Sequence, residues 1–74
     1  MNKINGNKNE ITGNENTIFK DSNKVSGNQN LVDGNENKLI GDQNELVGSS
    51  NQVKGNVNKI LGDKNLVSGD VNLI

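Results

Sequence analysis

The residue types that could do chemistry are few, and they recur at fixed intervals. Asp21, Asp42 and Asp63 are evenly spaced, and Asp70 follows them. Paired carboxylates can do general acid–base work, and clustered ones can hold calcium through oxygen ligands. Both need the carboxylates close together in space, so the chemistry depends on how the chain is wound. Other catalytic routes lack their residues. The 74-residue chain has no His and no Cys, which removes the commonest general base, the usual nitrogen and sulfur metal ligands and any disulfide framework. Gly-Asn steps are frequent, but none leads into the Lys-[Ser/Thr] of a phosphate-binding loop.

The intervals belong to a repeat. Aligned on Gly, the chain reads as eleven seven-residue units, Gly-[Asn/Asp]-x-Asn-x-[Ile/Val/Leu]-x, with no insertion or deletion. Position one is Gly except at Lys20, and position two is small and polar. Position four is always Asn: Asn2, Asn9, Asn16, Asn23, Asn30, Asn37, Asn44, Asn51, Asn58, Asn65 and Asn72. Position six is always aliphatic: Ile4, Ile11, Ile18, Val25, Val32, Leu39, Leu46, Val53, Ile60, Val67 and Ile74. A chain that is 28% hydrophobic and 1% aromatic would ordinarily be too poor in apolar surface to offset the entropy of ordering. Strict phase over every unit argues instead for a fold that uses its few aliphatics in one place. The expectation is a single uncapped repeat domain over residues 1–74.

A period of seven does not imply a coiled coil, which needs two apolar positions per heptad. Gly and Asn in each unit oppose helix by about 1 and 0.7 kcal/mol. An aliphatic residue between variable neighbours, followed by Gly-Asn, reads as a short strand and a turn. Seven residues suit one side of a solenoid coil. The fold class expected is therefore all-β, a two-sided β-solenoid or β-roll. It has two units and about 14 residues per coil, and about five and a half coils stacked near 4.8 Å. Position six points inward from both sides as a core ladder. Position four shares its strand parity, and its amide can bond along the stack or to turn backbone. Gly at position one suits a corner with positive φ or a close backbone approach, and Lys20 there should cost about 1 kcal/mol.

This winding also decides the carboxylate question. Asp21, Asp42 and Asp63 are each three units apart, which is one and a half coils, so they alternate corners. Asp42 and Asp70 share a corner two coils apart, roughly 10 Å, too far for one acid–base site. Calcium-binding repeats place Asp in every unit with paired glycines, whereas position two here is more often Asn. No enzyme activity, cofactor or metal is expected. Positions five and seven point to solvent and sort onto two faces. One carries Phe19, Leu31, Val47, Leu61 and Leu73, a candidate lateral contact face, while the other has only Ile40 and Leu66 as outward apolar residues. Eight Lys against nine Asp plus Glu form no run of one sign, so no nucleic-acid partner is expected. No apolar stretch approaches the roughly 20 residues of a membrane span. No signal peptide is present, which leaves a cytoplasmic location or an extracellular one reached by another export route.

The unit resembles the repeat of the grass ice-recrystallisation-inhibition proteins of the ryegrass type, x-x-Asn-x-[Val/Ile/Leu]-x-Gly. Here it reads Asn35-Glu36-Asn37-Lys38-Leu39-Ile40-Gly41 and Asn56-Val57-Asn58-Lys59-Ile60-Leu61-Gly62, and the likeness spans essentially the whole chain. The resemblance implies a left-handed β-roll with two repeats to the coil, inward Val and internal Asn ladders. It also implies that a flat face of outward Thr, Ser and Val binds ice. Outward Thr occurs here only at Thr12 and Thr17, on different faces.

Two functions follow as expectations. The chain has no polar cap at either end, and an open solenoid end is a strand edge that can template another chain. The leading expectation is a structural, self-assembling solenoid that stacks head to tail into an amyloid-like filament, its partner being another copy. The alternative is an ice-binding protein that inhibits recrystallisation, its partner being the ice surface.

Overall fold

The computed structural model describes residues 1–74, which form short strands joined by tight turns, with no helix. Ten three-residue strands follow in chain order: β1 (Lys3–Asn5), β2 (Glu10–Thr12), β3 (Thr17–Phe19), β4 (Lys24–Ser26), β5 (Leu31–Asp33), β6 (Lys38–Ile40), β7 (Glu45–Val47), β8 (Gln52–Lys54), β9 (Lys59–Leu61) and β10 (Leu66–Ser68). Odd-numbered strands form one five-stranded sheet, called face A, and even-numbered strands form the other, face B. Each pairing is parallel and joins equivalent residues of successive coils, as in Ile4 with Ile18, Val25 with Leu39 and Leu46 with Ile60. The chain is a β-solenoid of about five coils, two seven-residue units to each. The last unit adds no full strand, only a bridge from Leu73 to Lys59.

Strands this short could not hold a sheet alone. Each is continued at both ends by turn backbone that also bonds from coil to coil. Gly41 N–H donates to the Ser26 carbonyl at 2.9 Å, Gln43 N–H to that of Asn28 at 2.9 Å, and Lys38 N–H to that of Asn51 at 2.9 Å. The turns are thus part of the stacking ladder, not loops beside it.

The interior is one thin layer. Ile18, Val25, Val32, Leu39, Leu46, Val53, Ile60 and Val67 are at most 3% exposed and form a single cluster, with Ile11 packed against it. They alternate between the two sheets, so each coil contributes one side chain from each side. The thinnest dimension of the molecule, 12 Å, matches two sheets about 10 Å apart. Phase alone put Ile4 and Ile74 in this row, but they are 46% and 49% exposed. Each lies in an outermost unit, with a neighbouring coil on one side only.

The turns have two special positions. Position one has φ between 120° and 151° wherever it is Gly. The clearest case is Gly41, where a Cβ would stand 1.7 Å from the Gly55 carbonyl oxygen. Position three is the other, and its residue types gave no sign of it. Lys8, Glu15, Ser22, Gln29, Glu36, Gln43, Ser50, Val57, Lys64 and Val71 all have φ of 56° to 62°, the left-handed region that L-residues enter at a cost.

Candidate functional site

Two hydrogen-bonding ladders fix the shape of the molecule's surfaces. In the inner one, nine of the eleven position-four asparagines, all but Asn65 and Asn72 in the last coil, use their amides to tie backbone to backbone. Asn37 is typical: its Oδ1 accepts from the Asn51 backbone N–H at 2.9 Å, and its Nδ2 donates to the Gly48 carbonyl at 2.8 Å. Nine bonds of the first kind, 2.7–3.0 Å, and nine of the second, 2.7–2.9 Å, run through the stack. The ladder therefore runs from side chain to backbone, not from amide to amide. It also explains why no residue but Asn stands there. Asp has no donor, a hydroxyl cannot span both groups, and Gln carries an extra methylene. Asn16, Asn23, Asn30, Asn37, Asn44, Asn51 and Asn58 are buried, while Asn2, Asn9, Asn65 and Asn72 are half-buried in the outer coils. No buried side-chain nitrogen or oxygen lacks a partner.

The second ladder escaped the sequence reading. At position two the side-chain oxygen accepts the backbone N–H of the equivalent residue one coil earlier, at 2.7–2.9 Å, in seven places. Only an acceptor is used, so Asp and Asn serve alike, and both occur. Asp21, Asp42, Asp63 and Asp70 are all engaged in this way, by Asn7, Asn28, Ser49 and Asn56 respectively. Their oxygens cap turn backbone. Interchangeability of Asp and Asn within one phase was the available signal.

The outward side chains form the remaining surface. Face A carries Lys3, Thr17, Leu31, Glu45, Lys59 and Leu73 in one column, and Asn5, Phe19, Asp33, Val47 and Leu61 in the other. Phe19, Leu31 and Val47 are half-buried among their own neighbours, whereas Leu61 and Leu73 are 55% and 78% exposed. Face B carries Glu10, Lys24, Lys38, Gln52 and Leu66 beside Thr12, Ser26, Ile40, Lys54 and Ser68. Thus Glu10 sits in register with Lys24, Lys24 with Lys38, and Glu45 with Lys59. The ion pair that closes is a diagonal one, Lys20 Nζ to Asp33 Oδ1 at 3.2 Å, which in-register spacing could not reveal.

A family model described as a grass antifreeze beta roll matches residues 2–74. The chain belongs to the grass antifreeze beta-roll family. No curated protein sequence matches the chain. Membership and fold agree: the structure is a roll of two parallel sheets, and the Asn ladder locks each coil to the next. Scaffold positions repeat from unit to unit of this chain, and the pattern on its two faces does not. Lys20 alone departs from the scaffold and leaves a local mark. Its φ is 76°, and the Gly34 N–H bond to the Phe19 carbonyl beside it is stretched to 3.4 Å, against 2.9 Å for Gly41 to Ser26.

Proposed function

We propose that this chain adsorbs to ice and inhibits recrystallisation, using face B as the contact surface. Family membership over nearly the full length carries this reading. The sheet geometry supports it. Parallel strands place outward side chains on a grid with rows about 4.8 Å apart, and the stacked turns hold that grid rigid. Such an array keeps surface water in fixed positions, so that a crystal face can take up the ordered layer along with the protein. Adsorbed molecules then pin the front, and growth between them is forced into curved, less stable ice.

Face B suits this better than face A for three reasons. Its second column holds Thr12, Ser26 and Ser68, short hydroxyl side chains that bind water without projecting far. Its sole acid is Glu10, at the edge. Face A, by contrast, is broken by the bulk of Phe19 and by the acids Asp33 and Glu45. The test is a splat assay on two variants of matched bulk. Ser26→Trp on face B should abolish inhibition, and Val47→Trp on face A should leave it intact. Equal activity of both variants, or no activity of the parent chain, would overturn the assignment.

Head-to-tail stacking into filaments is a second reading, with lateral packing through Phe19, Leu31, Val47, Leu61 and Leu73. The observation behind it is that β1 and β2 at one end, and β10 at the other, each pair on one side only. An open coil edge accepts any further coil of the same register. Negative-stain imaging over a concentration series tests it. Filaments lengthening with concentration support stacking, and uniform single particles throughout count against it.

A further inference from the structure

We infer that Asn5 is a site of spontaneous covalent modification, converting to aspartate and isoaspartate through a cyclic imide formed with Gly6. The chain is rich in Asn, yet Asn5-Gly6 is its one Asn-Gly step. The reason is positional. Position one favours Gly, because coils stack carbonyl against Cα there, and a Cβ on Gly6 would lie 1.9 Å from the Lys20 carbonyl oxygen. Asn immediately before a Gly therefore requires Asn at position seven, and only Asn5 stands there.

The chemistry is closed and needs no outside oxidant or cofactor. The Gly6 backbone nitrogen loses its proton and attacks Cγ of Asn5. A new C–N bond forms, the amide nitrogen leaves as ammonia, and a five-membered imide remains. Water then opens the imide at either carbonyl, giving aspartate or, with the backbone rerouted through Cβ, isoaspartate. The missing Cβ at Gly6 leaves its nitrogen open to close approach.

The fold restrains most of the other asparagines, and the four whose side chains are also unbonded, Asn7, Asn14, Asn65 and Asn72, precede Lys8, Glu15, Leu66 and Leu73 in place of a glycine. Ladder residues such as Asn37 have Oδ1 and Nδ2 both held at hydrogen-bond distance, so imide closure there would have to break both bonds. Position-two asparagines such as Asn28 and Asn56 hold a backbone N–H through Oδ1. Asn5 is exposed, its side-chain amide makes no hydrogen bond, and it lines an open cleft with Gly6, Phe19, Lys20 and Asp33. Asp33-Gly34 could form the same imide by loss of water. There the carboxylate is tied to Lys20 and Gly34 is buried.

The product would add a negative charge to face A. In its isoaspartate form it would also add a methylene to the backbone of β1, beside the 2.7 Å bond from Lys20 N–H to the Asn5 carbonyl. The experiment incubates the folded chain, in parallel with chain unfolded in guanidinium, at mildly alkaline pH and body temperature. Tryptic peptides are followed by mass spectrometry. In the folded chain the peptide Ile4–Lys8 should show the amide-to-acid mass change first and resolve into two isomers, while ladder peptides stay unchanged. Asn5→Gln should abolish the change in that peptide, which separates Asn5 from Asn7. If the folded chain keeps Asn5 intact while the unfolded chain loses it, pairing of β1 protects the site and the inference fails. Faster conversion at any other asparagine overturns it equally.

Discussion

At the scale of single residues, the fold rests on side chains that complete the backbone's hydrogen bonding more than on apolar bulk. Replacing Asn37 by Ala leaves the Asn51 N–H and the Gly48 carbonyl without their partners in a closed interior. An unmet buried group costs about 1–3 kcal/mol, so Asn37→Ala, which orphans two, should lose about 2–6 kcal/mol, read as a lowered midpoint in urea. The opposite sign is expected where the chain departs from its own pattern. Lys20→Gly removes an L-residue from φ 76°, worth about 1–2 kcal/mol, and loses an exposed ion pair worth about 0–1 kcal/mol. A net gain of about 1 kcal/mol should raise the melting temperature by roughly 4–8 °C in a domain of this size, measured by circular dichroism. Val57 is the harder case. A β-branched residue at φ 56°, half exposed, gains little from packing. Val57→Asn should stabilise by about 1 kcal/mol on the same assay, since Asn tolerates the left-handed region.

The unit of structure is the turn and the strand it feeds, and the two were legible in the sequence to different depths. The strands, their inward aliphatics and their sorting onto two faces followed from phase, because period seven wound at two units per coil admits one parity. Glycine at position one was legible because it recurs in every unit but that of Lys20, and the stack bears it out, since a Cβ at Gly41 would stand 1.7 Å from a carbonyl oxygen. Gly41→Ala should accordingly prevent the turn after β6 from stacking on the next coil, and cost more than the roughly 1–2 kcal/mol of placing an L-residue at positive φ. Loss of the cooperative melt, and not a small shift, is the outcome to look for. Position three stayed hidden because Lys, Glu, Gln, Ser and Val carry no signature of positive φ, and the preference is imposed by the stack rather than by the residue. The second ladder stayed hidden for a related reason: a polar residue at a surface turn reads as solvation until its partner on the preceding coil is seen. The Lys20–Asp33 pair runs diagonally between coils, one step out of phase, and a search in register passes over it.

At the scale of the whole molecule, the period of the scaffold and the period of the surface differ, and that difference can be tested. Core, Asn ladder and turns repeat with every unit, and both sheets use them identically. Outward side chains return to the same face only with every second unit, because alternate units feed opposite sheets. Solenoid stability is close to a sum of unit and neighbour terms. Duplicating residues 28–34, one whole unit, should therefore fold and melt no lower than the parent. It should also transfer every later outward side chain to the other sheet. Ile40, Lys54 and Ser68 would move to face A, and Val47, Leu61 and Leu73 to face B. Duplicating residues 28–41, a full coil, should raise the melting temperature and keep every later side chain on its face. An ice contact made by face B predicts that the single-unit insertion loses recrystallisation inhibition while melting normally, and that the full-coil insertion retains it. An equal response to both would mean that activity follows the scaffold and not a face. An insertion one residue short of a unit, which breaks phase, should fail to fold and provides the control for scaffold integrity.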